Sequence, residues 1–130
     1  MEVLEVKTSS HIEMVNITYQ IQSVIEKSGV KEGTAVVYTP HTTAAITINE
    51  SADPDVVRDI LYETNKIIPL SDNYHHLEGN SAAHIKSSLF GASETLIIEN
   101  GRIQLGTWQG IFFCEFDGPR TRKIHVRLMA

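Results

Sequence analysis

The last third of the chain constrains the fold most tightly. Thr95-Leu96-Ile97-Ile98-Glu99 and Arg102-Ile103-Gln104-Leu105 are separated by Asn100-Gly101. The favoured two-residue hairpin turn needs positive φ at both central residues, and Asn-Gly accepts this at little cost. Two further β-rich runs, Gln109 to Phe116 and Thr121 to Leu128, flank the turn-forming Asp117-Gly118-Pro119. Successive antiparallel hairpins exclude a purely parallel sheet.

The first two thirds interleave strands with helices. Val3 to Thr8 reads as a strand, and Asn16 offers an N-cap oxygen to a helix from Ile17 to about Lys27, closed at Gly29. Thr34 to Thr39 is β-branched, Pro40-His41 interrupts it, and Ala44 to Asn49 resumes as a strand. Pro54 opens a second helix capped by Asp53, with Val56, Val57, Ile60 and Leu61 as the expected buried face. Pro69 to Asn80 is polar and loop-like, and a third helix is expected from Ser81 to Phe90, closed by Gly91. The expectation is one compact α+β domain over 1–130, with a mixed or antiparallel sheet covered by helices on one face.

Composition removes several functions. The net charge of −5 argues against a nucleic-acid partner, which is bound through basic stripes. The single cysteine, Cys114, permits no internal disulfide and lies in an apolar run, as a small core residue would. With no leader-like N-terminus and no apolar run near the length of a membrane span, the expected setting is cytoplasmic, away from membranes.

Five groups of residues carry possible chemistry. His41, in Thr39-Pro40-His41-Thr42-Thr43, is turned out of strand alternation by the proline bend, as a ligand or base, or as a surface histidine. Glu50 and Asp53 follow at the next strand-to-helix junction; Asp53 also reads as a plain cap. His76 and His84, separated by a short loop and a helix turn, can converge on a cation, although no dedicated zinc spacing is present. Neighbouring His75 reads as part of a solvated loop.

Asn80 and the helix start after it suit a phosphate, with Lys86 on the helix; helical spacing puts His84 and Lys86 on different sides. Gly106-Thr107-Trp108-Gln109 offers close backbone approach and hydrogen-bonding groups at Thr107 and Gln109, with Trp108 as a core or interface residue. Glu115, Asp117, Arg120 and Arg122 around the last turn suit either anion binding by arginine or a surface ion network.

Three segments together resemble one family. His41 to Glu50 (HTTAAITINE), Ala83 to Ser88 (AHIKSS) and Gly101 to Ile111 (GRIQLGTWQGI), in this order, are similar to the YjbQ family of secondary thiamine-phosphate synthase enzymes. The resemblance implies a compact α+β domain that assembles as a homotrimer, and a shared polar site with a suspected divalent metal, zinc or magnesium. Carried onto this chain, those positions are His41, Glu50, Asp53, His76, Glu78, His84, Lys86, Thr107, Gln109 and Arg122. His75 fits the pattern less well than His76.

The expected function is a metal-dependent transferase acting on phosphorylated small molecules. The named candidate is weak thiamine-phosphate synthesis, in which a pyrimidine diphosphate joins a thiazole phosphate and pyrophosphate leaves. His41, His76 and His84 would hold the metal. Glu50 or Asp53 would act as catalytic base, and Asn80, Lys86, Thr107, Gln109 and Arg122 would bind phosphate or substrate. The alternative is a trimeric, non-catalytic module that binds a small anion or cofactor.

Overall fold

A computed structural model describes the chain from Met1 to Ala130. Its strands form two antiparallel sheets. The larger follows the order β1 (Glu2–Lys7), β8 (Thr121–Met129), β3 (Gly33–Tyr38), β5 (Ser93–Glu99), β6 (Arg102–Ile103). The smaller follows β2 (Glu13–Asn16), β7 (Gln109–Glu115), β4 (Ala44–Glu50). The α+β class holds, but the single expected sheet is two.

The main core is shared by the two sheets. Val6, Ala35, Val37, Leu96, Ile98, Ile124 and Val126 come from the larger sheet, and Ala44, Ile46, Ile111 and Phe113 from the smaller. Helix α1 (Thr18–Ser28) adds Ile21, Val24 and Ile25 to the same cluster. Each large aliphatic or aromatic side chain among them, fully buried, contributes about 1.5–3 kcal/mol. The other face of the smaller sheet carries Ala45, Phe112 and Cys114, which pack with Phe116 and with Ala83 of α3 (Ser81–Phe90).

The turn and cap signals form as read except the first: Ile17, not Asn16, is the N-cap of α1, without a side-chain cap bond, and Asn16 ends β2. Asn16 Oδ1 accepts from the N–H of Thr18 at 3.0 Å and from its hydroxyl at 2.7 Å. Asn100 and Gly101 have φ of 53° and 75°, and Glu99 pairs with Arg102, so the expected hairpin forms. Helix α2 (Pro54–Ile67) starts at Pro54 with the Asp53 carboxylate accepting from Asp55 N–H at 2.9 Å.

Three expectations need correction. The runs on either side of Asp117-Gly118-Pro119 do not pair with each other: β7 lies in the smaller sheet and β8 in the larger. The turn, with its cis Gly118–Pro119 bond, is a corner between sheets. The expected inward face of α2, with Val56, Val57, Ile60 and Leu61, is the less exposed side of the helix but reaches only half-burial, with Val57 packed against the smaller cluster. Strand β2, short and half-buried, is not among the expected elements.

Residues 39–43 are a corner of the same kind. β3 ends at Tyr38 in the larger sheet, and β4 begins at Ala44 in the smaller. Pro40, which cannot donate to a ladder, marks the place where pairing stops. Both corners therefore join the two sheets, and the polar residues of both meet in one place.

Candidate functional site

A cavity of about 470 Å³ opens where the corners meet. Pro40, His41, Thr42 and Thr43 come from one corner, and Asp117, Arg120 and Arg122 from the other; His76, Glu78, Asn80 and His84 close it from the loop before α3 and from α3 itself. No aliphatic or aromatic hydrocarbon side chain other than the proline ring lines it. Such a wall favours a charged or strongly polar occupant.

The floor is a buried ion pair. Arg122 is 2% exposed and Glu115 is fully buried. Arg122 Nε–H donates to Glu115 Oε1 at 2.9 Å, and Nη2 donates to the second carboxylate oxygen. Nη2 also donates to the Thr43 hydroxyl at 2.8 Å. Glu115 further accepts from the Thr8 hydroxyl at 2.8 Å and from Asp117 N–H at 3.0 Å. Burial alone would raise the Glu115 pKa; the donors from Arg122, Asp117 and Thr8 outweigh it and hold the carboxyl below its ordinary value. Of the four residues in this cluster, Arg122 and Glu115 form an interior pair, whereas Arg120 and Asp117, 3.4 Å apart, form the surface ion pair of the second reading. Arg122 spends two of its nitrogens on the fold, and Nη1 is left without a protein partner.

His41 is held by the backbone of the opposite corner. Its Nε2 accepts from Lys123 N–H at 2.8 Å. Burial, then the charge of Arg122, lowers its pKa, with Arg120 and His125 adding to the effect and Glu115 opposing it. A neutral imidazole has one N–H and one lone pair. Because Nε2 uses its lone pair on Lys123, the proton belongs on Nδ1. In this orientation His41 offers a hydrogen-bond donor, and the same wall carries Arg120 and Arg122 together with the carboxylates of Asp117 and Glu78.

His76 and His84 meet edge to face, with ring centres 5.5 Å apart. Glu78 Oε2 lies 3.9 Å from His76 Nε2, beyond hydrogen-bond distance. No three His, Cys, Asp or Glu side chains converge closely enough to hold a metal ion. His76 and His84 suit two positions of a cation site, whereas His41 as placed presents an N–H instead of a lone pair. His75 lies outside this cavity, in a neighbouring hollow that His76 and His84 also line.

Asn80 stands immediately before α3. Its Nδ2 donates to Asp117 Oδ2 at 3.0 Å. Its Oδ1 is the one buried side-chain oxygen or nitrogen in the protein that has no partner. Leaving a buried acceptor unsatisfied costs about 1–3 kcal/mol.

The remaining candidates lie elsewhere. Lys86 is buried on another side of α3, donating to Asn65 Oδ1 of α2 and sitting 5.8 Å from the centre of the Phe116 ring. Burial lowers its pKa, and it does not line the cavity. Glu50, Asp53, Thr107 and Gln109 gather at the far end of β4, where Glu50 pairs in register with Gln109. From Ala44 to Glu50 that strand spans roughly 20 Å at about 3.3 Å per residue. Asp53 N–H donates to Glu50 Oε2 at 3.3 Å, and Gly106 N–H donates to Gln109 Oε1 at 2.8 Å. Within one chain, the candidate acids and the histidine cavity are thus separate. Sequence reasoning missed Thr8, Thr43 and the Lys123 amide; Thr43 alone carried a signal, being part of His41-Thr42-Thr43.

Comparison with known proteins places this arrangement. The family model for UPF0047 protein YjbQ-like matches residues 2–130. The chain belongs to the YjbQ-like UPF0047 family. It is 50% identical to UPF0047 protein YugU of Bacillus subtilis strain 168, over 99% of this chain and 98% of that one. It is 57% identical to UPF0047 protein MJ1081 of Methanocaldococcus jannaschii, over 96% of this chain and 91% of that one. A crystal structure of a yjbq/upf0047 family protein from Clostridium acetobutylicum superposes with a TM-score of 0.98 at 53% identity, covering 99% of this chain and 100% of that one. The conserved hypothetical protein TT1486 of Thermus thermophilus superposes with a TM-score of 0.93 at 41% identity, covering 99% and 100% of the two chains. The two-sheet fold is therefore shared with both of these solved structures. No helix is long and apolar enough to cross a membrane.

Proposed function

We propose that the corner cavity binds the anionic group of a phosphorylated small molecule. The observation that carries this reading is the bond from Lys123 N–H to His41 Nε2. It leaves Nδ1–H as a fixed donor at a wall that also contains Arg120 and Arg122. Donors fixed before the ligand arrives lose little on binding, which is what an anion site requires. Isothermal calorimetry with inorganic phosphate is the test. His41→Phe, which keeps a ring without the donor, should weaken binding at least about tenfold, the loss of one charge-assisted hydrogen bond. Equal affinity in both proteins would remove His41 from the site.

A catalytic reading is favoured by the pairing of His76 with His84. Those two rings would supply two ligands to a divalent cation, zinc or magnesium. A bound cation would stabilise negative charge on a phosphate or pyrophosphate leaving group. In that setting His41 Nδ1–H and Arg122 Nη1 hold phosphate oxygens, and the buried Glu115 keeps the guanidinium plane still. Thiamine-phosphate synthesis from a pyrimidine diphosphate and a thiazole phosphate, implied by the family resemblance, is the reaction to assay. Bound metal in wild type and its loss in His84→Ala would support this reading; turnover unaffected by His41→Phe would count against it.

A homotrimer is part of the same proposal. Trp108 is 62% exposed, Leu89 is 70% exposed, and α2 has no buried residue, so apolar surface is left over on one copy. Assembly would cover it. Light scattering after gel filtration measures the stoichiometry, and a monomer at micromolar concentration would contradict it.

A further inference from the structure

We propose that Thr8 is a positioning residue for the anion site: its hydroxyl ties Arg120 to the buried Glu115–Arg122 pair, so that the two arginines of the cavity wall are held at a fixed separation. The inference rests on the anion reading above and adds to it the group that sets one arginine against the other.

Thr8 stands one step beyond the end of β1. Its N–H donates to the Arg120 carbonyl at 3.0 Å, which carries the ladder on from the Lys7–Thr121 pair. Strand alternation puts Thr8 in the inward row of Leu4 and Val6, and it is 7% exposed. Valine would fill that place with the same shape and no polar atom. What threonine adds there is its hydrogen bonding.

A hydroxyl has one proton to give and two lone pairs. Thr8 gives its proton to Glu115 Oε1 at 2.8 Å and accepts from Arg120 N–H at 2.9 Å. The Arg120 carbonyl also lies 3.0 Å from that oxygen, but it is already served by Thr8 N–H, and a carboxylate is the stronger acceptor. Glu115 Oε1 accepts in turn from Arg122 Nε–H at 2.9 Å. One chain of hydrogen bonds therefore runs from the Arg120 backbone through Thr8 and Glu115 to the Arg122 guanidinium, and links in such a chain strengthen one another. The far end of Arg120 leads to the same carboxylate. Its Nη2 lies 3.4 Å from Asp117 Oδ2, and Asp117 N–H donates to Glu115 Oε2 at 3.0 Å. Thr8 is the only residue whose side chain bonds both to the interior pair and to Arg120.

Calorimetry with inorganic phosphate tests this, on variants shown by circular dichroism to be folded. Thr8→Val keeps the volume and removes both hydroxyl bonds; it should weaken binding about fivefold or more. Thr8→Ser keeps the hydroxyl and should bind within about twofold of wild type. With Arg120→Ala already in place, adding Thr8→Val should change the affinity by about twofold or less, because the arginine through which Thr8 acts is gone. A merely structural threonine would lower the urea midpoint and show no such coupling. Thr8→Val binding within about twofold of wild type, an equal loss with and without Arg120, or a Thr8→Ser protein as weak as Thr8→Val would each overturn the proposal while phosphate binding stands. Failure of the wild type to bind phosphate overturns the anion reading and the role of Thr8 with it. If Thr8→Val does not fold, proton–nitrogen spectra of the wild type decide. Added phosphate should move the Arg120 amide and Arg122 Nε–H signals along one saturation curve, and an Arg120 amide that stays still while Arg122 moves overturns the proposal.

Discussion

Arg122 and Glu115 form a two-point ion pair in the interior, on adjacent ends of strands that belong to different sheets. The pair joins the two sheets directly beneath the cavity. Its removal is therefore expected to act on stability first and on binding through it. Arg122→Ala leaves a buried carboxylate with no cation, a change that typically costs about 3–5 kcal/mol. Urea denaturation measures it; a loss below about 1 kcal/mol, the range of exposed pairs, would mean that the pair is solvated.

The same pair sets a pH dependence. The folded pKa of Glu115 lies below its unfolded value, so the unfolded chain binds more protons as pH falls through the carboxylate range. The stabilisation is fully present above the unfolded pKa, near 4.5. It is lost as pH drops through the lower folded value. Urea midpoints measured from about pH 6 downwards should therefore fall more steeply in wild type than in Glu115→Gln. Parallel curves would contradict the assignment.

Cys114 lies fully buried between sheet and helix, and burial pushes its thiol up to about 12. The reactive thiolate is then scarce at any ordinary pH. Iodoacetamide at about pH 8, close to the pKa of a free thiol, should leave the native protein unlabelled over hours and modify it promptly in denaturant. Mass spectrometry reads the outcome, and rapid native labelling would show that the core opens there.

Gly110 sits on β7 where a Cβ would come within 2.6 Å of Ser51 Cβ. Gly110→Ala should destabilise by about 1–3 kcal/mol through overpacking. Ser51→Gly in the same chain should recover part of that loss. A double variant no more stable than Gly110→Ala would place the strain elsewhere. Denaturant midpoints of the three variants decide it.

The sequence disclosed local structure better than partnership. Asn100-Gly101, Asp53-Pro54 and Gly29 signal their turn and caps through their own backbone chemistry, and each forms as expected. Asp117-Gly118-Pro119 signals a turn equally well, but a turn does not reveal whether the chain returns to the same sheet. The same limit applied at Pro40-His41. His41, His76, His84, Asn80 and Arg122 were legible as polar residues near breaks, and the two corners, the loop before α3 and α3 itself bring them to one cavity. The orientation of His41 was not legible, because a backbone amide 82 positions away sets it. Lys86 was read towards phosphate, yet the helix turns it to Asn65 and Phe116. Apolar spacing marked a face of α2 for burial, and that face is the half-buried one; spacing alone does not say how completely a face is covered.

The central claim is that His41 carries its proton on Nδ1 and presents it to an anion. A long-range proton–nitrogen correlation spectrum of the histidine rings, recorded at neutral pH with and without inorganic phosphate, tests both halves at once. The expected result is a neutral His41 protonated at Nδ1, with that nitrogen shifting saturably as phosphate is added. A proton on Nε2, or a His41 ring unmoved by phosphate that binds elsewhere, would contradict the account.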